Sequence, residues 1–253
     1  MKGIILAGGN GRRLDPLTRI TNKHLLPVYK KPMIMYPLET LVNVGIKEIV
    51  IVTSGDYIGH FYKLIKRGQD WGVNVHYEIQ EGSEGTGAAL LCAKDFIRDD
   101  DFMVILGDNI VYENVGKFVK DFETERDRFD AKILVAKVDC PEKYGVVEIE
   151  GDKVVRLVEK PQNPFSNYIN TGLWIFKPEI ITLCENLKKT QRNEYEVTDV
   201  LSDYAEKGRL TYSMLDCEWT DAGTFEELYK ASDLMRRIEQ QKRLELLRED
   251  AAV

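Results

Sequence analysis

Short apolar runs punctuate the first half of the chain. Gly3 to Ala7, Glu48 to Thr53 and Phe102 to Leu106 are rich in Ile, Val and Leu and are bounded by Gly or Asp. Runs of this length without polar alternation predict strands buried on both faces, as in a parallel sheet covered by helices. Between them lie helix-like stretches: Tyr36 to Val44 closed by Gly45, Ile58 to Lys66 closed by Arg67-Gly68, and Ala88 to Phe96. Strand and helix alternate through about the first 110 residues, which predicts an α/β fold with a doubly wound sheet and right-handed crossovers. Ligands of such sheets sit beyond the carboxyl ends of the strands.

After about residue 130 strands follow in quick succession: Ala131 to Val138, Gly145 to Glu150, Lys153 to Val158 and Gly172 to Phe176. Gly151-Asp152 reads as a two-residue hairpin turn, and this half is expected to form a smaller, more antiparallel lobe. Helices return at Glu179 to Leu187, at Thr198 to Lys207 with Gly208 as its stop, and from Phe225 onward. Thr224 and Glu227 form a capping-box pattern for the last helix. Its Leu228, Ala231, Met235 and Ile238 fall at helical spacing, an apolar stripe for the body or for another subunit. The expected organisation is a domain over 1–224, with halves at about 1–130 and 131–224, followed by a C-terminal helix over 225–253.

Composition narrows the class. The 253 residues are 43% hydrophobic and 30% charged, with 19 Gly and 8 Pro, values of an ordinary globular protein. No apolar run reaches the roughly 18 residues of a membrane span, and the apolar start ending in Gly8-Gly9 is too short for a signal peptide. A cytoplasmic location without membrane contact is expected. Cys92, Cys140, Cys184 and Cys217 include no close pair, and His24, His60 and His76 no metal-ligand spacing. The net charge of −7 disfavours a nonspecific grip on nucleic acid. Locally the balance reverses. Between Met1 and Lys31 stand seven basic residues against one acid, Asp15, a segment suited to an anion.

The anion's place is the loop after the first strand. In Gly8-Gly9-Asn10-Gly11-Arg12-Arg13-Leu14, three glycines leave backbone N–H groups unshielded and two arginines follow at once. A phosphate chain fits there; a plain glycine turn is the other reading. A P-loop would need Gly-Lys-Ser or Gly-Lys-Thr, and a dinucleotide fingerprint would need Gly in place of Leu14.

From this loop onward the sequence resembles the sugar-phosphate nucleotidyltransferases, of the glucose-1-phosphate thymidylyltransferase type. The resemblance rests on Gly-Gly-x-Gly-x-Arg-Leu-x-Pro-Leu-Thr from Gly8, Lys23-His24-Leu25-Leu26-Pro27 and Lys31-Pro32-Met33-Ile34. It continues through Leu106-Gly107-Asp108-Asn109, Tyr144-Gly145-Val146-Val147, Glu159-Lys160-Pro161 and Asn170-Thr171-Gly172. Arg192, Glu194, Glu196-Val197-Thr198-Asp199 and Trp219-Thr220-Asp221-Ala222-Gly223-Thr224 complete it, over about residues 3 to 225. Arg12 departs from it, standing where the family usually has Thr.

The resemblance implies a Rossmann-like mixed sheet flanked by helices, with the antiparallel lobe binding sugar. It implies transfer of a nucleotidyl group, from dTTP or in second place UTP, to a sugar-1-phosphate, glucose-1-phosphate first. Attack on the α-phosphorus is direct and in line, and pyrophosphate leaves. Arg13 and Lys23 would be catalytic, acting on the triphosphate. Leu6, Ala7, Gly8, Gly9, Gly11, Gln80, Gly85 and Asp108 would hold the nucleotide; Gln80 offers an acceptor and a donor to thymine or uracil. Asp108 and Asp221 would ligate Mg²⁺. Lys160 and Arg192 would meet the sugar's phosphate, Glu159 its hydroxyls, and Tyr144, Gly145, Asn170, Thr171 and Trp219 would line the sugar pocket. Family members usually assemble as homo-oligomers. Taken singly, each residue also has a plainer reading: a solvated cation for Arg13 or Lys23, a turn for Asp108 or Asp221, a strand-end ion pair for Glu159 and Lys160, and core for Tyr144 and Trp219. A catalytically silent relative would lack the cations or carboxylates present here.

Overall fold

In the computed structural model, which describes residues 1–250 apart from Glu113, Gln191, Cys217 and Glu218, the apolar runs of the first half lie side by side. Cys217 and the last three positions of the C-terminal helix fall outside the described residues. In chain order the first half holds β1 (Lys2–Ala7), β2 (Pro27–Val28), β3 (Lys31–Pro32), α1 (Met35–Asn43), β4 (Glu48–Thr53), α2 (Ile58–Ile65) and β5 (Asn74–Ile79). It continues with α3 (Thr86–Cys92), α4 (Lys94–Ile97), β6 (Phe102–Leu106), β7 (Asn109–Val111) and α5 (Gly116–Glu125). The second half holds β8 (Ala131–Lys137), β9 (Gly145–Glu150), β10 (Lys153–Glu159), β11 (Tyr168–Phe176), α6 (Ile180–Glu185), α7 (Val197–Glu206), β12 (Leu210–Met214), β13 (Trp219–Asp221) and α8 (Phe225–Asp250).

Strands of both halves share one nine-stranded mixed sheet in the order β5-β4-β1-β6-β11-β8-β12-β10-β9. The strands β5, β4, β1 and β6 run parallel. The second half adds mainly antiparallel pairs, with β12 on β8 the parallel exception. From β1 the chain builds outward first through β4 and β5 and then on the other side through β6. That reversal makes a crevice at the carboxyl end of β1.

The unalternated runs are apolar because both faces are covered. Ile4, Leu6, Val50, Val52 and Val104 face a core closed by Leu90 of α3, Cys184 of α6 and Leu201 of α7. Ile5, Ile49, Ile51, Met103 and Ile105 face a second core closed by α1, by Phe61 of α2 and by Phe118 and Phe122 of α5. Each fully buried side chain of this size contributes roughly 1.5–3 kcal/mol. Leu228, Ala231 and Met235 of α8 pack on Val28, Met33, Tyr36 and Ile110, and Ile238 is buried as well, so the stripe is spent on the body.

Several elements differ from the sequence expectation. The stretch Ala88 to Phe96 is two helices, broken at Ala93 (φ −90°, ψ 3°). The strand expected from Gly172 already begins at Tyr168. β5, α5 and β12 lie outside the expected elements. The hairpin turn is as expected, with Glu150 paired to Lys153 around Gly151 at φ 59°. Among the described residues no helix is long and apolar enough to cross a membrane, and Cys92, Cys140 and Cys184 are free.

Candidate functional site

The crevice opens into a cavity of about 300 Å³. Leu6 of β1, Gly8 and Gly9 of the loop after it, and Asp108 just beyond β6 line its first end. The loop turns at Gly11 (φ +61°), where a Cβ would sit 2.8 Å from Thr18 and 2.9 Å from Lys23. Burying Leu14 anchors the turn and leaves Arg13 reaching into the cavity. Among the described residues Arg13 makes no hydrogen bond or ion pair. Lys23 enters from a short turn capped by Asn22, whose oxygen accepts from the His24 N–H at 2.9 Å and whose amide donates to the Ala7 carbonyl at 3.2 Å. Lys23 is paired with Asp108.

The Gln80 amide lies against Gly8: a Cβ there would be 2.3 Å from Gln80 Oε1, so a larger residue would displace that amide. Gln80 Nε2 donates to the Gly85 carbonyl at 3.2 Å, leaving Oε1 and one amide hydrogen for a ligand. Gly85 (φ +100°) packs so closely on the Tyr195 backbone that a Cβ would lie 2.5 Å from its carbonyl oxygen. Two backbone bonds, Tyr195 N–H to Glu84 O at 2.7 Å and Gly87 N–H to Tyr195 O at 2.8 Å, tie this loop to the segment carrying Arg192.

The other end is built by the second half. Tyr144, Gly145, Glu159, Lys160, Asn170, Thr171, Arg192 and Trp219 all line it. Thr198 Oγ1 donates to Glu159 Oε2 at 2.9 Å, and Lys160 pairs with Glu159 Oε1 at 2.9 Å. Lys160 follows the end of β10 at φ 45°, a left-handed conformation rare for a residue with a Cβ. Arg192 lies between Glu196 at 2.9 Å, Glu194 at 3.2 Å and Glu159 at 3.6 Å. Burial, with Glu159 beside it, pushes the Glu196 carboxyl up to about 7. Tyr144 donates to Asp221 Oδ1 at 3.0 Å and meets Trp219 edge-on at 5.6 Å, while Trp219 Nε1 donates to Asn109 Oδ1 at 2.6 Å.

Asp108 and Asp221 come together through β7 and β13, where Asp221 stands opposite Asn109 and the Ala222 N–H donates to the Asp108 carbonyl at 3.0 Å. Burial opposes ionisation of Asp108, but the Lys23 ammonium beside it holds its carboxyl well below the usual range. Asp221 is pushed up to about 6 by burial and then by the charges of Asp108 and Glu227. A hard dication beside the pair would relieve that repulsion. Among the described residues no three His, Cys, Asp or Glu side chains are placed to hold a metal ion, so any ion held here would have at most this pair of carboxylates from the protein. It suits an ion that keeps water and phosphate oxygens as its remaining ligands. His24, pushed down to about 3 by burial and by Lys23, is neutral and bonded to Asn22, a support for the loop.

Two expected nucleotide residues stand outside the lining. Ala7 is fully buried and offers only its carbonyl, to Asn22 and Thr53; Gly11 shapes the turn, with its carbonyl taken by Leu14 N–H and Thr18. Residues without an expected site role also face the cavity: His24, Asn109, Lys143, Trp174 and Glu227. Glu227 departs from its capping-box reading. Its N–H donates to Thr224 Oγ1 at 3.3 Å, but its carboxylate does not close the box, and Oε2 is buried without a partner among the described residues. The spacing that marked it as a cap hid this orientation.

The nucleotidyl transferase family profile matches residues 2–237. A glucose-1-phosphate thymidylyltransferase of Mycolicibacterium smegmatis is 42% identical over 243 residues, covering 94% of this chain and 83% of the relative. A solved structure from Bacillus anthracis that carries the same enzyme name, in complex with a sucrose, superposes with a TM-score of 0.88 at 39% identity, covering 93% of this chain and 95% of that one. A UDP-glucose pyrophosphorylase complexed with UDP-glucose shares the fold, with a TM-score of 0.81 at 24% identity over 93% of this chain and 98% of that one. With the profile matching residues 2–237 and a relative of 42% identity covering 94% of the chain, the chain belongs to the nucleotidyl transferase family.

Proposed function

We propose that this chain transfers the thymidylyl group of dTTP to glucose-1-phosphate, giving dTDP-glucose and pyrophosphate. The observation that carries the reading is the sharing of one cavity: Arg13, Lys23, Asp108 and Asp221 at one end, and Glu159, Lys160 and Arg192 at the other. A phosphate oxygen of the sugar phosphate attacks the α-phosphorus, the bond to the bridging oxygen breaks, and pyrophosphate leaves. No enzyme nucleophile takes part, so the protein's contribution is positioning and charge. Arg13, which has no partner among the described residues, takes the leaving phosphates, and Lys23 shares itself between Asp108 and the triphosphate. Lys160 and Arg192 hold the sugar's phosphate, the latter by exchanging part of its carboxylate company for it. Mg²⁺ at Asp108 and Asp221 supplies charge neutralisation at the reacting phosphates when bound. Gln80 reads the base, within a nucleotide half over about 1–130 and a sugar half over 131–224.

The enzyme works in the cytoplasm as a homo-oligomer, and exposed Phe225, Tyr229, Leu244 and Leu247 on α8 support self-association. The test is pyrophosphate release from glucose-1-phosphate with dTTP, UTP, CTP, GTP or ATP, with and without EDTA. Release fastest with dTTP and abolished by EDTA is expected. A UTP rate equal to that with dTTP would move the assignment to a uridylyl donor, and no release with any nucleotide would end it.

A further inference from the structure

Strand β11 carries an irregularity that bears on the sugar end of the cavity. Its pairing with β8 jumps from Asn170 opposite Val135 to Trp174 opposite Ile133, a bulge of the kind that re-aims side chains beside active sites. Within it Gly172 sits at φ +88°, where a Cβ would lie 2.6 Å from Leu106. In a regular strand residues four apart are separated by about 13 Å. Here Trp174 Nε1–H donates to Asn170 Oδ1 at 2.7 Å, and the Gly172 N–H donates to the same oxygen at 3.3 Å. Both side chains line the cavity and are buried.

An indole N–H only donates, so the atom facing it is the amide oxygen. Asn170 Nδ2 makes no hydrogen bond among the described residues and is not sealed from solvent, which leaves its N–H groups for the cavity. Across the sheet, Asn170 stands opposite Gly145 and Gly145 opposite Glu159. A Cβ on Gly145 would lie 3.2 Å from Glu159 Oε2 and 3.7 Å from Asn170 Cβ. A bare glycine therefore separates a fixed donor from a fixed acceptor.

We propose that Trp174 is a positioning residue of the sugar subsite: its indole locks the Asn170 amide with the NH₂ toward the cavity. A hexose hydroxyl lying over Gly145 then accepts from Asn170 and donates to Glu159, and the pocket selects among epimeric hexopyranose 1-phosphates by that hydroxyl. The inference rests on the sugar-1-phosphate reading above.

Its test is the kinetics of W174F, N170A and W174F/N170A with glucose-, galactose- and mannose-1-phosphate, alongside wild type. Phe keeps an aromatic ring and removes the N–H, freeing the amide to turn. W174F is expected to raise KM for glucose-1-phosphate about 5- to 10-fold, to hold kcat and the dTTP KM within about twofold, and to narrow the preference over the epimers. In the N170A background the same Trp-to-Phe change is expected to do nothing further. An unchanged KM and preference in W174F, or an equal loss in the N170A background, overturns the proposal. If W174F does not fold, N170D decides: the carboxylate still accepts from the indole but has no N–H to offer. N170D must show the same KM rise, and an unchanged KM overturns the proposal. Wild-type turnover of glucose-1-phosphate tests the underlying reading separately.

Discussion

Arg13 and Lys23 stand in one cavity in opposite states, and the difference sets what each variant should do. Arg13 has no protein partner among the described residues, whereas Lys23 neutralises Asp108, whose side chain is only 12% exposed. Replacing Arg13 with Met is expected to lower kcat by about 10²- to 10³-fold while stability stays within about 0.5 kcal/mol. Lys23→Met should lose comparable activity and also about 2–4 kcal/mol, because it leaves a buried charge unpaired; denaturant titration beside kinetics separates the two. Equal stability of both variants would contradict the pairing. The sequence identifies both cations through the glycine turn they follow. It cannot distinguish free from paired, because Lys23's partner lies 85 positions away. Ala7 shows the converse limit: the resemblance implies a nucleotide contact for it, yet strand alternation turns it into the core opposite Leu6.

Among the elements, the hairpin end at Lys160 is where stability and function are expected to conflict. Its φ of 45° costs a non-glycine residue about 1 kcal/mol, which glycine does not incur. Lys160→Gly should therefore raise stability by up to about 1 kcal/mol while raising the sugar-phosphate KM about 10-fold through the lost charge. Thermal melting and steady-state kinetics check the pair of effects, and a destabilised K160G would show that the conformation carries no strain. The buried strands β1, β4 and β6 were legible because coverage on both faces removes polar positions from the run. β5 was not, since it lies at the sheet edge with Asn74, His76 and Ile79 exposed. α5 hides Phe118, Val119 and Phe122 among Lys, Asp and Glu. The break at Ala93 is likewise invisible locally, for every residue from Ala88 to Phe96 except Lys94 and Asp95 is apolar.

For the whole molecule, the sheet order joins segments whose proximity no local pattern announces, and Asp130 fastens three of them. Standing before β8, it bonds Arg209 before β12 at 2.7 and 2.8 Å and Lys177 after β11 at 2.9 Å. The hydrogen bonds from Arg209, with Lys177 beside them, pull its carboxyl down to about 2. A depressed carboxylate stabilises the fold above its unfolded value of about 3.9 and loses that contribution as pH falls toward 2. Asp130→Asn should cost about 2 kcal/mol at pH 7 and flatten the pH dependence of stability between about pH 4 and 2, read by urea titration across that range. The same joining of distant segments brings Arg13, Lys23, Asp108 and Asp221 into one cavity with Glu159, Lys160 and Arg192, the arrangement on which the proposed direct transfer rests. That transfer is tested most directly by rapid-quench measurement of pyrophosphate from enzyme, Mg²⁺ and dTTP, before and after adding glucose-1-phosphate. Direct transfer predicts no release from dTTP alone and release only once the sugar phosphate is present. A burst from dTTP alone, equal to the enzyme concentration, would mean a covalent nucleotidyl-enzyme and would contradict the account.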